Sequence, residues 1–475
     1  MLRPPSPALL ESLATLLGPR GFSRDSETLE PWLSDWRGRY HGQAAALLSP
    51  ASTAEVQAIV ARCAAERVAL VPQGGNTSMV GGATPDADGS ALLLSLRRMN
   101  SVRSVSPDDN VAVAEAGVIL SDLHDSATAA GRRFPLSLAA KGSATVGGLV
   151  STNAGGTQVL RFGPMRSLVV GLEAVLPDGS LIEGLSALRK DNRGYDLKQL
   201  LIGAEGTLGV VTAASLRLVP MPGSTAIAWA GLASPQAALA LLRRLEGALG
   251  ESVESFELVP DEALRLVLAH VEGTRAPLAG AAPWNVLIEA TAPTSARDAR
   301  EALEEALGAA LEAGLIGDAV IAASEAQGAA LWRLRETISE AERHQGPAAK
   351  HDVSVPVSAM PEFIEAAGDK VMARFPGTRV VAFGHLGDGN VHFNVLAPAG
   401  EGGERWLEER ADEVSAFVHD LVGERGGSIS AEHGIGQMKR LELVRTLPPA
   451  RLAVLQALKR TLDPAGIMNP GKLLA

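Results

Sequence analysis

The sequence predicts an α+β protein with at least two domains, and three observations lead to that fold class. The chain has 475 residues, which at roughly 150 residues per domain suggests two or three domains. Up to residue 222, short apolar runs alternate with glycine-rich loops. From residue 223, long helices rich in Ala, Leu and Glu separate strand-like runs, a pattern typical of helices packed on a mostly antiparallel sheet.

We therefore divide the chain into four segments. They are an N-terminal helical segment (1–42), a first domain (43–222), a second domain (223–430) and a C-terminal helical segment (431–475). In the first domain, Ser52-Thr-Ala-Glu55 is a capping box and predicts a helix to about Glu66. Further strands are predicted at 68–72, 91–96, 111–117 and 208–220. The turn sequence Pro177-Asp178-Gly179 between two hydrophobic runs predicts a hairpin.

The second domain has its own series of helices and strands. Helices are predicted at 234–249, 295–314 and 405–426, with a strand at 284–291 and a hairpin at 379–398. The C-terminal segment is predicted to be helical after a polar loop.

Composition restricts the classes of protein to which the chain can belong. Forty-three Lys and Arg against 54 Asp and Glu give a net charge of −11, which argues against nucleic acid as a partner. The single cysteine, Cys63, excludes an intrachain disulfide and any multi-cysteine metal site. No apolar run approaches the ~18–20 residues of a membrane span, and the N-terminus lacks a signal-peptide pattern. We therefore expect a cytoplasmic protein without a membrane span.

The familiar nucleotide and hydrolase motifs are absent. The sequence contains no G-x-G-x-x-G after a strand, no G-x-x-x-x-G-K-[ST], no G-x-S-x-G and no H-E-x-x-H. A nucleotide cofactor, if one binds, must use another loop design.

A histidine hairpin is the first candidate for chemistry. If Asp388-Gly389 forms a two-residue turn, His385 lies directly opposite His392, with Cβ atoms ~4.5–5.5 Å apart. Two such imidazoles can bind one metal ion. Asn394, two residues further on, lies on the same face of the strand. The alternative is that both histidines are ordinary polar residues of a surface turn.

Glu432 and His433 complete this candidate site. A carboxylate added to two imidazoles leaves coordination positions open, as in catalytic metal sites. We predict that Glu432 binds the metal and that His433 faces the substrate hydroxyl as a base. The ligand set suits a divalent ion, Zn first, with Mn and Fe as alternatives.

Three glycine-rich loops in the first domain are the second candidate. They occupy residues 72–82, 141–156 and 201–209 and are dense in Gly, Ser, Thr and Asn. Such backbone can approach a pyrophosphate closely and offer it several N–H groups. The alternative is that each glycine only marks a tight turn.

Six motifs in a fixed order carry a resemblance to a known family. They are PQGGNTS, GSATVGGLVSTNAGG, GAEGTLGVVT, GHLGDGNVHFNV, AEHGIGQMK and the terminal DPAGIMNPGK. From about Leu29 to its end, the chain resembles the FAD-dependent D-2-hydroxyacid dehydrogenases. The resemblance implies a vanillyl-alcohol-oxidase-type FAD-binding domain at 43–222 and a substrate-capping domain at 223–430. It also implies that the C-terminal segment supplies Glu432 and His433 and returns to FAD.

The same resemblance implies a set of FAD contacts in these loops and in the tail. They are Pro72, Gln73, Gly74, Gly75, Asn76, Thr77, Ser78, Pro135, Ser137, Gly142, Ser143, Thr145, Gly148, Asn153, Gly155, Glu205, Gly206, Gly209 and Asn469. Residues 72–82 contain no His or Cys, so FAD cannot be tethered covalently there and is expected to be noncovalent.

The family's hydroxyglutarate branch implies the substrate contacts. Its Arg, hydroxyl and Lys residues match Arg335, Ser339 and Lys350, with Asn394 at the reacting end. Arg335 and Ser339 are i and i+4 on a predicted helix and would share one face. The alternative for Arg335 is a solvated helix charge.

The implied reaction is oxidation of D-2-hydroxyglutarate to 2-oxoglutarate, in which His433 takes the hydroxyl proton and FAD the hydride. D-lactate, D-malate or glycolate are alternative substrates. Two other classes remain, a noncatalytic flavin-binding subunit of a larger complex and a metal-dependent hydrolase with an empty first domain. The electron acceptor has no signature in the sequence, and a homodimer is one assembly that it leaves open.

Overall fold

The computed structural model describes residues 2–400 and 402–474, which form an α+β protein as predicted. It divides into two compact units. The first unit contains the chain up to Gly156, Gly163–Met221 and the chain from Glu432 onward. The second unit contains Thr157–Phe162 and Pro222–Ala431.

The helices and strands are numbered along the whole chain. The first unit has helices α1 (Pro7–Gly21), α2 (Ser26–Leu33), α3 (Thr53–Glu66), α4 (Leu120–Ala129), α5 (Val146–Thr152), α7 (Met165–Leu168), α8 (Lys198–Leu201), α16 (Arg440–Thr446) and α17 (Pro449–Leu462). Its strands are β1 (Phe22–Ser23), β2 (Ala46–Leu48), β3 (Leu70–Gln73), β4 (Leu92–Ser95), β5 (Val102–Ser106), β6 (Val111–Glu115), β7 (Arg132–Arg133), β8 (Val169–Val175), β9 (Leu181–Gly184), β10 (Val210–Arg217) and β11 (Val219–Pro220).

The second unit has helices α6 (Val159–Phe162), α9 (Pro235–Leu249), α10 (Asp261–His270), α11 (Ala299–Glu312), α12 (Glu325–Glu336), α13 (Ile338–Ala341), α14 (Met360–Arg374) and α15 (Gly403–Glu424). Its strands are β12 (Ser224–Leu232), β13 (Val253–Pro260), β14 (Trp284–Ala292), β15 (Asp318–Ile321), β16 (Ala348–Ser354), β17 (Arg379–His385) and β18 (Asn390–Leu396).

The first unit contains a small mixed sheet of four strands and a five-stranded antiparallel sheet. In the order β1-β2-β4-β3, the pairs β2/β4 and β4/β3 are parallel. The second sheet has the order β5-β6-β10-β8-β9. The hairpin predicted at Pro177-Asp178-Gly179 joins β8 to β9, with Val175 opposite Leu181. That prediction is confirmed.

Helix α3 shows how the sequence specifies a local element. The Ser52 hydroxyl accepts the N–H of Glu55 at 3.2 Å, and the Glu55 carboxylate accepts the N–H of Ala51 at 2.7 Å. These bonds satisfy amides that a helix N-terminus leaves unpaired. The inner face of α3 then buries Ile59 and Cys63 completely. The predicted cap is confirmed, and Cys63 is a buried free thiol.

The second unit is built on one seven-stranded sheet, antiparallel throughout, in the order β15-β12-β14-β13-β17-β18-β16. Successive side chains alternate between its faces. One face packs on α9, α11, α14 and α15, and the other packs on α10, α12 and α13. The predicted layer of helices on an antiparallel sheet is confirmed, and the face toward α10, α12 and α13 carries the candidate site.

A short piece of chain inside the predicted first domain belongs to the second unit. Thr157–Phe162 contains α6, whose Arg161 contacts Glu254 Oε1 at 2.6 Å and Thr291 Oγ1 at 2.7 Å. A side chain at Gly387, in the turn between β17 and β18, would contact Leu160 of the same helix at 2.9 Å. Helix α6 therefore packs against the turn that joins the two strands on which the histidines lie.

The described residues contain no helix that combines the length and the apolar character needed to cross a lipid bilayer.

The Arg161–Glu254 pair yields a stability prediction. Glu254 is fully buried, so Arg161→Ala would remove a cation that lies 2.6 Å from a buried carboxylate. We expect the free energy of unfolding of the second unit to fall by about 3–5 kcal/mol, measured by urea titration. As a control, Arg297→Ala removes an exposed pair with Glu305, and solvent screening of that pair should make its effect on the free energy of unfolding much smaller. Equal losses in the two variants would show that the Arg161 pair is no stronger than a surface contact.

Candidate active site

The β17–β18 hairpin brings the two histidines together, but in a different register from the predicted one. His385 lies opposite Asn390, and His392 lies opposite Phe383. The turn therefore has four residues, Leu386 to Gly389, and the predicted two-residue Asp388-Gly389 turn is wrong. The N–H groups of Asp388 and Gly389 both donate to the His385 carbonyl, at 3.2 and 3.0 Å.

The Asp388 side chain explains the longer turn. Its carboxylate accepts the N–H of Asn390 at 3.0 Å, and Gly389 adopts a φ of +84°. In the observed register His392 is diagonal to His385 on the same face, because Asn390 and His392 are two residues apart. The ring centroids of His385 and His392 are 5.5 Å apart, with the planes at 75°. The two imidazoles thus converge, although they are not directly opposed.

Glu432 completes a group that could hold a metal ion. One ligand atom from each of His385, His392 and Glu432 lies within 4.8 Å of the others. The two histidines belong to the second unit, and Glu432 is bonded to its last residue, Ala431. The Ala431 N–H donates to the carbonyl of Asp352 at 3.4 Å, which ties this end of the chain to β16. Two imidazoles and a carboxylate are a ligand set suited to Zn, Mn or Fe.

His385 is held by a carboxylate that the sequence reasoning did not identify. Glu257 lies directly opposite His385, on β13, and its Oε1 is 2.7 Å from His385 Nδ1. The other oxygen, Oε2, accepts a hydrogen bond from Arg335 Nε at 2.9 Å. Burial alone would raise the pKa of Glu257, but His385 and Arg335 together keep it below its ordinary value.

Arg335 is buried, so the interpretation as a solvated helix charge does not hold. Its guanidinium lies over the Phe383 ring at 4.9 Å and forms an ion pair with Glu257. Helix α12 ends at Glu336, and Ser339 follows in the separate short helix α13, where it is exposed. The prediction that Arg335 and Ser339 share a face of one helix is therefore wrong, because the helix is interrupted at Thr337.

Lys350 and Asn394 are neighbours on adjacent strands and share a second buried carboxylate. They lie opposite each other on β16 and β18. Lys350 Nζ is 2.6 Å from Glu342 Oε2, and Asn394 Nδ2 donates to both Glu342 oxygens at 2.9–3.0 Å. Glu342 was also missed. Asp352, opposite His392, has its Oδ1 3.9 Å from His392 Nδ1.

One signal in the sequence could have identified Glu257. Phe256 and Leu258 flank Glu257 in a mostly apolar run, which is typical of a buried strand, and an acid within a buried strand must be paired. The structure shows this burial along Val253–Pro260. Glu342 has no such signal, because it lies in a short helical turn whose neighbours are mostly exposed.

In the first unit, the predicted FAD residues of the first two loops pack against each other. A side chain at Gly75 would overlap the Ser143 carbonyl, and one at Gly74 would overlap the Thr145 hydroxyl. Asn76 adopts a left-handed φ of 53°. Within the described chain, the N–H groups of Gly75, Asn76 and Thr77 donate no hydrogen bond. Consecutive unpaired amides around a left-handed residue form an anion-binding concavity, so this loop fits a pyrophosphate.

The other predicted FAD residues of this unit lie around these loops. Pro72 and Gln73 end β3, Thr145 caps α5, Gly148 lies within α5 and Asn153 ends it. A side chain at Gly206 would lie 3.2 Å from the Pro72 ring, and Gly209 directly precedes β10. Pro135 is buried, Ser78 and Ser137 are half-buried, and Gly142 and Ser143 are exposed. Each of these FAD contacts stays a prediction.

Glu205 has a more definite role in the structure than a contact with FAD. Its carboxylate accepts the N–H groups of Ile435 and Gly436, both at 2.7 Å. Burial raises the pKa of Glu205, against the lowering effect of these amides and of Lys439. Glu205 thus holds the loop that begins with Glu432 and His433. His433 itself is half-buried in this loop.

Asn469 in the tail lies beside the same elements. Its Nδ2 donates to the carbonyls of Gly82 and Glu205 at 2.9 and 2.7 Å. Its Oδ1 is buried and has no hydrogen-bond partner among the described residues. A buried acceptor without a protein partner is open to water or to a ligand, so this atom is compatible with the predicted return of the tail to FAD. Gly155 lies close to Glu432, because a side chain there would contact Glu432 Oε1 at 3.0 Å.

Comparison with known proteins gives the class. Residues 44–184 match the model of an FAD binding domain, and residues 221–473 match the model of the C-terminal domain of FAD linked oxidases. The solved structure of p-cresol methylhydroxylase with substrate bound has a TM-score of 0.74 at 15% identity, and the match covers 98% of this chain and 96% of that one. The chain thus has the vanillyl-alcohol-oxidase-type fold and the two domains of an FAD linked oxidase.

Closer relatives give the family. The mitochondrial D-2-hydroxyglutarate dehydrogenase of Arabidopsis thaliana is 38% identical over 459 residues, which is 97% of this chain and 80% of the relative. The mitochondrial D-2-hydroxyglutarate dehydrogenase of Bos taurus is 40% identical over 451 residues, 95% of this chain and 80% of the relative. The chain belongs to the family of FAD-dependent D-2-hydroxyacid dehydrogenases.

The Glu205 contacts yield a prediction on the loop. Glu205→Ala removes the acceptor of two buried amides, so we expect the free energy of unfolding of the first unit to fall by about 3 kcal/mol in urea titrations. Glu205→Gln retains one acceptor oxygen and should lose less than half of that amount. A loss below about 0.5 kcal/mol in the alanine variant would contradict the role of Glu205 in holding the loop.

Proposed function

We propose that the chain oxidises D-2-hydroxyglutarate to 2-oxoglutarate with FAD and a divalent metal ion. The observation that carries this proposal is the pair of cations, Arg335 and Lys350, on the side of the sheet that bears the two histidines. A dicarboxylate needs cationic donors for its far carboxylate in addition to the groups at its reacting end. The names of the relatives support the same substrate.

The groups that would bind FAD and the metal are those described above. The metal would be held by His385, His392 and Glu432, with Zn as the preferred ion. When bound, the metal supplies a Lewis acid for the 2-hydroxyl group, and FAD supplies the hydride acceptor.

The protein's own residues bind the substrate and move the proton. His433 takes the proton of the 2-hydroxyl as general base. Asn394 donates to Glu342 through Nδ2, which leaves its Oδ1 to accept a hydrogen bond from the reacting end. Arg335 donates to Glu257 through Nε, so its two Nη groups can donate together to the far carboxylate. Lys350 adds a point charge there, and Ser339 adds a hydroxyl.

A second candidate substrate is a monocarboxylate such as D-lactate. The contact between Lys350 Nζ and the buried Glu342 carboxylate, at 2.6 Å, favours it, because that contact offsets the lysine charge. Glycolate, which also lacks a second carboxylate, falls under the same test. D-malate is a shorter dicarboxylate, and the panel of 2-hydroxy acids distinguishes it from D-2-hydroxyglutarate.

His433 can be tested as the base. His433→Ala should keep the yellow FAD and lose reduction of the flavin by D-2-hydroxyglutarate, by about 10²–10⁴-fold in rate. The measurement is flavin bleaching after anaerobic mixing with a panel of D- and L-2-hydroxy acids. His270→Ala, which changes an exposed histidine on α10, is the control and should reduce flavin at the wild-type rate. Normal bleaching in His433→Ala would remove His433 from this role.

If the wild-type protein bleaches with no acid of the panel, the enzyme proposal fails and the noncatalytic flavin-binding subunit is favoured. A colourless purified protein would instead favour the metal-dependent hydrolase.

The substrate assignment can be tested with the two cations. Arg335→Ala and Lys350→Ala each remove a donor for the far carboxylate, which D-lactate does not have. We expect kcat/KM for D-2-hydroxyglutarate to fall about 10–150-fold, in line with the loss of one charged hydrogen bond, and kcat/KM for D-lactate to fall much less. Equal losses on both substrates would contradict the dicarboxylate assignment and favour the monocarboxylate.

The remaining parts of the proposal concern the setting of the reaction. We propose a cytoplasmic location, an electron acceptor of unidentified chemistry and a homodimer as one assembly to test by sedimentation.

A further inference from the structure

We infer that Glu257 is a positioning residue that orients the metal ligand His385 and the guanidinium of Arg335 with the two oxygens of one carboxylate. The inference rests on the proposed function, because it assumes that His385 binds a metal and that Arg335 binds substrate. Glu257 itself was assigned neither to metal binding nor to substrate binding. The inference gives it a role in both, because one carboxylate contacts both His385 and Arg335.

The geometry of Glu257 carries the first step. Its side chain is 1% exposed, and it lies opposite His385 in the β13–β17 pair. Oε1 is 2.7 Å from His385 Nδ1, and Oε2 is 2.9 Å from Arg335 Nε. Each oxygen therefore has its own charged or ionisable partner, as a buried carboxylate requires.

The bond to Nδ1 determines the state of the His385 ring. A carboxylate at Nδ1 favours the proton on that nitrogen, which would leave the Nε2 lone pair for a metal ion. It also restrains rotation of the ring and makes the ligand more basic. Metal affinity should therefore depend on Glu257, although Glu257 is not itself a ligand.

The bond to Nε restrains the Arg335 guanidinium in the same way. This planar group is held at one edge by Glu257 and on its face by the Phe383 ring, 4.9 Å from the ring centroid. Because the fork is rigid, fixing Nε also fixes the plane in which both Nη groups donate. One carboxylate thus sets the geometry at the metal end and at the far end of the substrate.

The same strand offers a matched control. Glu254 lies three residues before Glu257 on β13, is also fully buried, and pairs with Arg161 and Thr291. Arg161 and Thr291 are not among the candidate site residues. If Glu257 were only a structural buried charge, neutralising either glutamate would have the same consequences.

The test compares Glu257→Gln with Glu254→Gln in the FAD-loaded full-length protein after removal of metal by a chelator. Zn²⁺ is titrated in competition with a chromophoric chelator, and Tm is recorded for each variant without metal. We expect Glu257→Gln to bind Zn²⁺ about 10–100-fold more weakly than wild type, and Glu254→Gln to stay within about threefold. Both variants should lose Tm. A wild-type Zn²⁺ affinity in Glu257→Gln, or an equal weakening in Glu254→Gln, would overturn the inference.

A second variant covers the case in which Glu257→Gln does not fold. Glu257→Asp keeps the charge but is one methylene shorter, so it can reach only one of the two partners. We expect either weaker Zn²⁺ binding or a higher KM for D-2-hydroxyglutarate at saturating Zn²⁺, whereas wild-type values of both would overturn the inference. Zn²⁺ affinity does not depend on the substrate. If the wild-type protein binds Zn²⁺ but oxidises a different acid, the proposed substrate fails while the role of Glu257 at His385 stands.

Discussion

The buried carboxylates of the second unit govern the arrangement of its polar residues, because an unpaired charge in such a place costs several kcal/mol of unfolding free energy. Glu257 meets this requirement with His385 and Arg335, and Glu342 meets it with Lys350 and Asn394. Each pairing also removes rotational freedom from a side chain that the chemistry would use. The same contacts that make burial tolerable therefore preorganise the site.

The alternation of an antiparallel sheet explains why these residues meet. Glu257, His385 and His392 lie on three adjacent strands and on the face toward α10, α12 and α13. Their sequence neighbours point to the opposite face, where Phe256 and Val391 join the apolar core. The identity of the face could be predicted from the two-residue period within each strand. The pairing of β13 with β17, across more than a hundred residues, could not, because it depends on the whole sheet.

The register of the β17–β18 hairpin could not be predicted from the local sequence. An Asp-Gly dipeptide is compatible with a two-residue turn and also with the end of a four-residue turn, and the choice depends on the Asp388 carboxylate and on the packing of Gly387 against Leu160. The convergence of His385 and His392 could still be predicted, since a shift of the strand pairing by two residues keeps both on one face. The helix break at Thr337 is a similar case, because the i, i+4 spacing of Arg335 and Ser339 contains no sign of it.

The charges of the site bear on how substrates can be distinguished. Arg335 is paired with Glu257 and Lys350 with Glu342, so the two cations bring two anions with them and little net charge. A second substrate carboxylate would then be recognised mainly through oriented donors, the Nη groups of Arg335 and the ammonium of Lys350, rather than through bulk positive potential. Recognition by oriented donors discriminates strongly, because a substrate lacking the acceptor leaves buried donors unpaired. The paired carboxylates therefore reduce general attraction of anions and leave the discrimination between substrates to the orientation of these donors.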